Sequence, residues 1–275
     1  MATRRLLLLI QLSVLLTVSS VLAQRSVIWK EKPGTWSLNV GMGPSRYLGD
    51  LNERFDFAHL RLGLAMSAAA TYRVTDQLAL RGDIGLYYIR GTHKDTYLSF
   101  NNLSFHSVNP DIAVGFQYDI WRSDNNNYAV VPYAIAGIGV TYMTPRADYK
   151  GTSYSLAPMH TEGVAYNRLP LILRYGIGLP LFSTERFKGN LEGIYTHVSS
   201  DYLDDVSTRY IDRNGMPTIA ASLADRAPEV GTPPNIVGAK RGNPNRNDGY
   251  LTLSARLIFI IITPSQRNYR RMFSR

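Results

Sequence analysis

Two groups of residues in this sequence have types and spacing that could do chemistry. His197-Val198-Ser199 places an imidazole and a hydroxyl two residues apart. On an extended strand they share a face, so the base can reach the hydroxyl if a third acid orients it, which is the arrangement of an acyl hydrolase. Such a tripeptide also arises easily by chance at a Ser-rich loop end. Asp201, Asp204 and Asp205 form an acid cluster just beyond it, but they lack the glycine and the alternating oxygen ligands of a calcium loop. The remaining histidines, His59, His93, His106 and His160, are scattered, with no pair at metal-ligand spacing, and no phosphate loop or nucleophile elbow occurs. With 0 Cys, disulfide scaffolds, thiolate metal sites, cysteine nucleophiles and cysteine-linked lipid anchors are excluded. The expectation is no catalytic residue, no metal and no cofactor.

The elements that carry these residues read as strands with two unlike faces. From Leu60 to Arg73, Leu60, Leu62, Leu64, Met66, Ala68, Ala70 and Tyr72 alternate with Arg61, Gly63, Ala65, Ser67, Ala69, Thr71 and Arg73. On a helix those apolar residues would spread around the whole cylinder, so the period of two means a strand. The same alternation starts at Trp36, Leu78, Val108, Leu169, Leu191 and Leu251. The stretch Ala129 to Met143 is also strand-like, but its faces do not separate in the sequence.

Eight such strands suit a β-sandwich or a transmembrane barrel, and three features favour the barrel. Several are longer than the roughly 5 to 6 residues usual in ordinary sheets and suit a tilted membrane strand of roughly 9 to 11. The apolar face is nearly free of charge. Short and long connections alternate, the last running from Ser199 to Asp248, as in an outer-membrane barrel that starts and ends in the periplasm. The fold expected is all-β, an eight-stranded antiparallel transmembrane barrel over 24–263 with long external loops and short periplasmic turns. Eight strands leave a bore that side chains fill. Inward glycines at 41, 43, 63, 85, 115, 176 and 178 make room for long partners, and Arg61, Arg81, Asp83, Asp111, Arg174, Glu192 and Arg256 are the candidates for an interior ion-pair network. Trp36, Tyr72, Tyr88, Tyr118, Trp121 and Tyr128 fit interfacial girdles.

The ends are addresses and tails. Residues 1–23 have a basic start (Arg4, Arg5), a Leu-rich core and small residues before a cut after Ala23, the pattern of a secretory signal peptide. Its removal takes two of the nine net positive charges and leaves +7. An exported chain makes nucleic acid an unexpected partner for that charge; the apolar wall of the barrel is expected to meet outer-membrane lipids. Residues 264–275 form a tail with Arg267, Arg270, Arg271 and Arg275 and no acid, suited to an acidic surface in the periplasm. The loop 199–248 holds five Pro and four Gly and is long for a segment without structure or function.

Several strings resemble, in order, those of a known family. They are Tyr47-Leu48-Gly49-Asp50-Leu51, then Ala136-Gly137-Ile138-Gly139-Val140, Thr161-Glu162-Gly163 and Tyr175-Gly176-Ile177-Gly178-Leu179-Pro180. Next come Asp201-Tyr202-Leu203-Asp204-Asp205-Val206-Ser207 with Tyr210, and Arg241-Gly242-Asn243-Pro244 before Asp248 and Tyr250. Together they resemble the PorG-type outer-membrane barrels of type IX secretion and gliding machinery, over almost the whole mature chain; the stretch between Pro145 and Thr161 departs from that pattern. The resemblance implies a non-enzymatic protein that ties a periplasmic ring, a lipoprotein with its partner subunit, to the outer membrane, with no small-molecule substrate. The contacts it suggests are Val74-Thr75-Asp76, Trp121 and Arg122 through Asn127, Ser183 to Arg186, and the arginine tail. His197-Val198-Ser199 separately resembles the His-x-Ser of outer-membrane lipid A deacylases, which gives an alternative hydrolase reading. A generic adhesion or envelope-stabilising barrel is the third reading.

Overall fold

The computed structural model describes residues 33–52, 59–121, 131–184 and 186–261. The segment 1–23 expected to be a signal peptide, Arg122, Tyr128, Arg267, Arg270, Arg271 and Arg275 lie outside the described residues.

Ten strands form: β1 (Trp36–Leu48), β2 (Gly63–Arg73), β3 (Leu78–Thr92), β4 (Ser104–Asp119), β5 (Tyr133–Thr141), β6 (Arg146–Tyr149), β7 (Thr152–Ser155), β8 (Leu171–Ser183), β9 (Phe187–Val198) and β10 (Gly249–Ile261). Eight of them close a ring in the order β1-β2-β3-β4-β5-β8-β9-β10, every pair antiparallel, with β10 returning to β1 from Trp36↔Ile261 to Leu48↔Gly249. Closure leaves no sheet edge, so the ladder hydrogen bonds of the ring are satisfied without water. The short connections, 74–77 and 184–186, lie at the end of the ring where β1 starts. The β4–β5 connection, 120–132, is longer and joins its strands at that same end, while 49–62, 93–103, 142–170 and 199–248 lie at the other.

Alternation decides which way each side chain points. Leu38, Val40 and Met42 of β1, Leu80, Ile84 and Leu86 of β3, and Ile112, Val114 and Phe116 of β4 all face out and are exposed, Val114 at 62%. Their inward neighbours are buried. In β5 the inward residues are Tyr133, Ile135, Gly137, Gly139, Thr141 and, just beyond the strand, Met143, while Ala134, Ala136, Ile138 and Val140 face out. The faces were unreadable because Ile135 and Met143 are apolar yet inward, and two outward positions are only alanine. Trp36 and Tyr72 meet at 4.9 Å between ring centroids at the short-turn end.

The lumen is filled by paired charges. Arg81 binds Asp83 at 2.9 Å and Glu192 at 2.8 Å; Arg256 lies 2.6 Å from Glu192 and 3.4 Å from Asp83. The Tyr133 hydroxyl donates to Glu192 at 2.8 Å and accepts from Asn190 at 2.8 Å. Farther up, Arg174 pairs with Asp111, which also accepts from the Tyr250 hydroxyl at 2.8 Å. Between the two clusters lies a cavity of about 30 Å³, room for a water and for no solute. Backbone clearance permits this packing: a Cβ on Gly41 would stand 2.7 Å from Arg256 Cγ, and one on Gly178 would stand 2.1 Å from the Tyr133 ring.

Arg61 is a correction to the expected lumen set. Its φ of 45° takes it out of extended backbone just before β2 begins. Its guanidinium donates to the Lys94 carbonyl at 2.5 Å, at the long-loop rim.

Glu192 is 1% exposed and sits between two arginines. Glu192→Ala is therefore expected to destabilise the folded barrel by about 3–5 kcal/mol, the cost of leaving buried charges uncompensated. Urea unfolding in lipid vesicles measures it; an unchanged midpoint would refute the clamp.

Candidate functional site

At the long-loop end, four connections fold over the mouth of the ring: the first (49–62, described in part), the second (93–103), the third (142–170) and the fourth (199–248). Tyr47, near the end of β1, points into this cap. Its hydroxyl stands 2.5 Å from Asp204 Oδ2 and 2.8 Å from Asp248 Oδ1. A phenol has one proton to donate. Two carboxylates at these distances therefore require a second proton, carried by one of the two carboxyl groups. Asp248 also accepts from the Leu203 amide at 3.1 Å, and Asp204 from the Val206 amide at 2.9 Å, which fixes both.

The neighbouring contacts tie the loops together. The Asn243 amide donates to Asp50 at 2.5 Å, joining the first loop to the fourth. From the third loop, Glu162 accepts from the Ser207 and Thr208 amides at 2.9 and 2.8 Å and from Arg241 at 2.8 Å. Thr161 and Tyr166 donate to Asp205 at 2.5 and 2.7 Å, and Tyr166 stacks on Tyr202 at 4.5 Å. Asp205 reaches this position with a φ of 67°, a left-handed conformation that aspartate adopts more readily than most residues. Beneath the polar layer, Leu51, Leu103, Phe105, Met143, Leu156, Val198, Leu203, Val206 and Leu223 form one buried cluster. Leu223 comes from a short helix, α1 (Thr218–Ala224), in the fourth loop.

Burial dominates the electrostatics. It pushes Asp248 up to about 8 and, with the nearby Asp248 charge adding to it, Asp201 up to about 9 and Asp204 well above the usual carboxylate range. Asp205 rises only to about 6, because Arg241 and the Thr161 and Tyr166 hydroxyls favour its charged form. Among the described residues, no group of three or more His, Asp or Glu side chains is arranged to hold a metal ion. The cap is thus a proton-sharing lock between loops.

All seven residues of the Asp201–Ser207 string lie in this cap, beside Tyr47, Asp50, Glu162 and Arg241 from the other strings. Their separation in the sequence gives no sign of this contact. Of the lumen set, Arg81, Asp83, Glu192 and Arg256 form one cluster and Arg174 and Asp111 a second, away from the cap. His197 falls on the outward face of β9, paired in register with Leu173 and Gly249, and Ser199 is exposed beyond the strand end. No hydrogen bond joins the two among the described residues. At the short-turn end, Trp121 is exposed at 42% and Arg186 is exposed; Thr75 and Thr184 hydroxyls accept from the Leu78 and Phe187 amides and fix the two turns.

A closed antiparallel ring with an apolar exterior and an ion-paired lumen is a membrane-spanning β-barrel. No family model and no curated protein matches the chain. Solved structures that resemble it include neisserial surface protein A (13% identity, 82% of this chain and 96% of that one, TM-score 0.44). Others are the outer membrane protein OprG of Pseudomonas aeruginosa (11% identity, 86% and 100%, TM-score 0.42) and Ail, the attachment invasion locus protein of Yersinia pestis (15% identity, 82% and 99%, TM-score 0.39). With identities and scores this low, the assignment of the fold rests on the strand ring itself.

The lock has a signed pH dependence. Carboxyl groups raised in the closed cap stay protonated while the same groups in a released loop, near their ordinary value of about 4, ionise. Closure is therefore strongest at acid pH and weakens as pH rises through about 8, where Asp248 ionises. Hydrogen exchange at the Leu203 and Val206 amides, corrected for intrinsic rate, should show faster opening at pH 9 than at pH 5. Asp248→Asn keeps that side chain neutral: its amide can donate to Tyr47, whose proton then goes to Asp204, so the upper part of the dependence should flatten. Equal opening at both pH values in the unaltered protein would contradict the shared proton.

Proposed function

We propose that this barrel sits in the outer membrane as a non-enzymatic component of a type IX secretion apparatus, anchoring or stabilising its periplasmic ring. The reading rests on the resemblance of the sequence strings to PorG-type barrels. The observation that best supports it is that the most distinctive strings, distant in the chain, share one cap: Tyr47 with Asp204 and Asp248, Asp50 with Asn243, and Glu162 with Ser207 and Arg241. Those strings are then the parts of one device that closes the external mouth.

A lumen clamped by arginine–carboxylate pairs and a mouth covered by locked loops suit an anchor. Such a barrel can hold a large assembly against the membrane without opening a leak. The docking surface in this reading is the short-turn end, with Val74-Thr75-Asp76, Trp121, Arg186 and the arginine tail meeting the ring lipoprotein or its partner subunit. The tail's cations suit an acidic partner face. The His197–Ser199 hydrolase reading gains no support from geometry, because the imidazole faces outward and no acid orients it among the described residues.

Deletion of the gene is expected to abolish secretion of type IX cargo, and affinity purification of the full chain is expected to bring down the ring subunits. Replacing Arg267, Arg270 and Arg271 together by Ala should weaken that capture several-fold and leave the barrel folded. Normal cargo secretion in the deletion strain would overturn the role; full capture by the tail variant would move the contact to the turns.

A further inference from the structure

The charges of the barrel strands are sorted by direction. Every Asp, Glu, Arg and Lys in the eight ring strands points inward except Arg46 and Arg90. Both lie two residues from the long-loop end of their strands. His106, two residues into β4 from the same end, also faces out and is the direct cross-strand neighbour of Arg90. The row continues into the small hairpin, where Arg146 of β6 is paired in register with His106. No carboxylate of the ring strands points outward, and no outward cation of the ring strands occurs at the short-turn end.

Below this row the exterior is apolar. Leu86, Tyr88 and Val108 stand one or two outward positions nearer the middle of the barrel than Arg90 and His106. A lipid whose acyl chains lie along that wall brings its headgroup to the level of Arg90, His106 and Arg146. Two of these are already oriented. Arg146 uses Nε and Nη2 on the Ser153 hydroxyl and carbonyl at 3.1 and 2.9 Å, and the same Ser153 hydroxyl is 3.3 Å from His106 Nε2. The Nη1 edge of Arg146 and the whole Arg90 guanidinium have no partner among the described residues. Asp148, its side chain 71% exposed, borders the row with its carboxylate 3.8 Å from His106 Nδ1.

We propose that Arg90, His106 and Arg146 form a site for the phosphate-bearing headgroup of an outer-leaflet lipid. The chemistry is that of guanidinium forks on a phosphate, supported by hydrocarbon contact beneath. An interfacial belt that only anchored the barrel would need cations at both ends; here the ring strands present them at one. The occupant is therefore a lipid of the long-loop leaflet. The site rests on the membrane placement of the barrel and is independent of the role in secretion. A chain that captures the ring but shows no lipid preference removes this site alone.

The test uses the full chain in detergent micelles, titrated with bis-phosphorylated lipid A, with the same lipid stripped of its phosphates, and with inorganic phosphate, binding being read by native mass spectrometry. The unaltered protein should retain the phosphorylated lipid, and the Arg90→Gln/Arg146→Gln variant should bind it about ten-fold or more weakly, one lost charge-assisted contact being enough for that change. Arg90→Lys/Arg146→Lys should recover part of the loss. Both residues are exposed, so gel mobility before and after heating should show the barrel folded in every variant. Equal binding of the stripped lipid, equal binding by the Gln variant, or full competition by millimolar inorganic phosphate would each overturn the proposal.

Discussion

In hydrocarbon an unpaired backbone amide or carbonyl finds no water, and each one left over costs several kcal/mol. That constraint explains why the ring closes. Eight strands, each hydrogen-bonded to two neighbours, end with β10 returned to β1 over almost its full length. Once closure is required, direction follows from alternation: one face of every strand meets lipid and the other meets seven other strands. The outward set is Leu, Val, Ile and Met, with tyrosines and tryptophans toward the ends. Across the lipid-facing band the charged side chains turn inward, Arg46, Arg90 and His106 near the long-loop rim being the outward ones, and in a bore this narrow arginines and carboxylates pair.

The pairing divides the interior into two regimes. In the half nearer the short turns, arginines and carboxylates neutralise one another, and the glycines opposite them leave the space those long side chains fill. In the half nearer the long loops, aromatic and aliphatic residues take over, from the stacked Tyr87 and Tyr250 rings at 3.9 Å to the cluster around Leu203. Above that apolar floor the cap carries six acids: Glu162, on the buried guanidinium of Arg241, Asp204 and Asp248, on Tyr47, and Asp50, Asp201 and Asp205 beside them. Burial raises Asp201, Asp204 and Asp248, and the proton shared around Tyr47 is what lets the loops close.

The ring was legible because its signal is local. Leu60 to Arg73 shows its two faces in any window of eight residues, and the same is true of β3, β4, β8 and β10. What failed to read were places where local pattern and final environment disagree. Ile135 and Met143 are oily but inward. The β6–β7 hairpin passed for loop, although Lys150-Gly151, at φ of 48° and 79°, is the two-residue turn such hairpins favour. The strand β4 begins at Ser104, four residues before its clean alternation, because Phe105 packs inward under the cap. The cap itself was visible only as separate strings. Tyr47 meets Asp204 across 157 positions and Asp248 across 201, and no spacing rule reaches that far. Arg61 misled for a related reason: it continues the alternation of β2 on paper, but a single left-handed residue takes it out of the ladder.

The sidedness of the barrel wall carries the whole account, and a chain with 0 Cys permits a clean measurement of it. Single cysteines placed at Val114, which faces out, and at Ser67, which faces in, can each carry a fluorophore in protein reconstituted into vesicles containing lipids brominated along their acyl chains. Strong quenching at position 114 and weak quenching at position 67 is the expected result. Equal quenching at the two positions, or ready reaction of the position 114 thiol with a water-soluble reagent in the reconstituted protein, would contradict it.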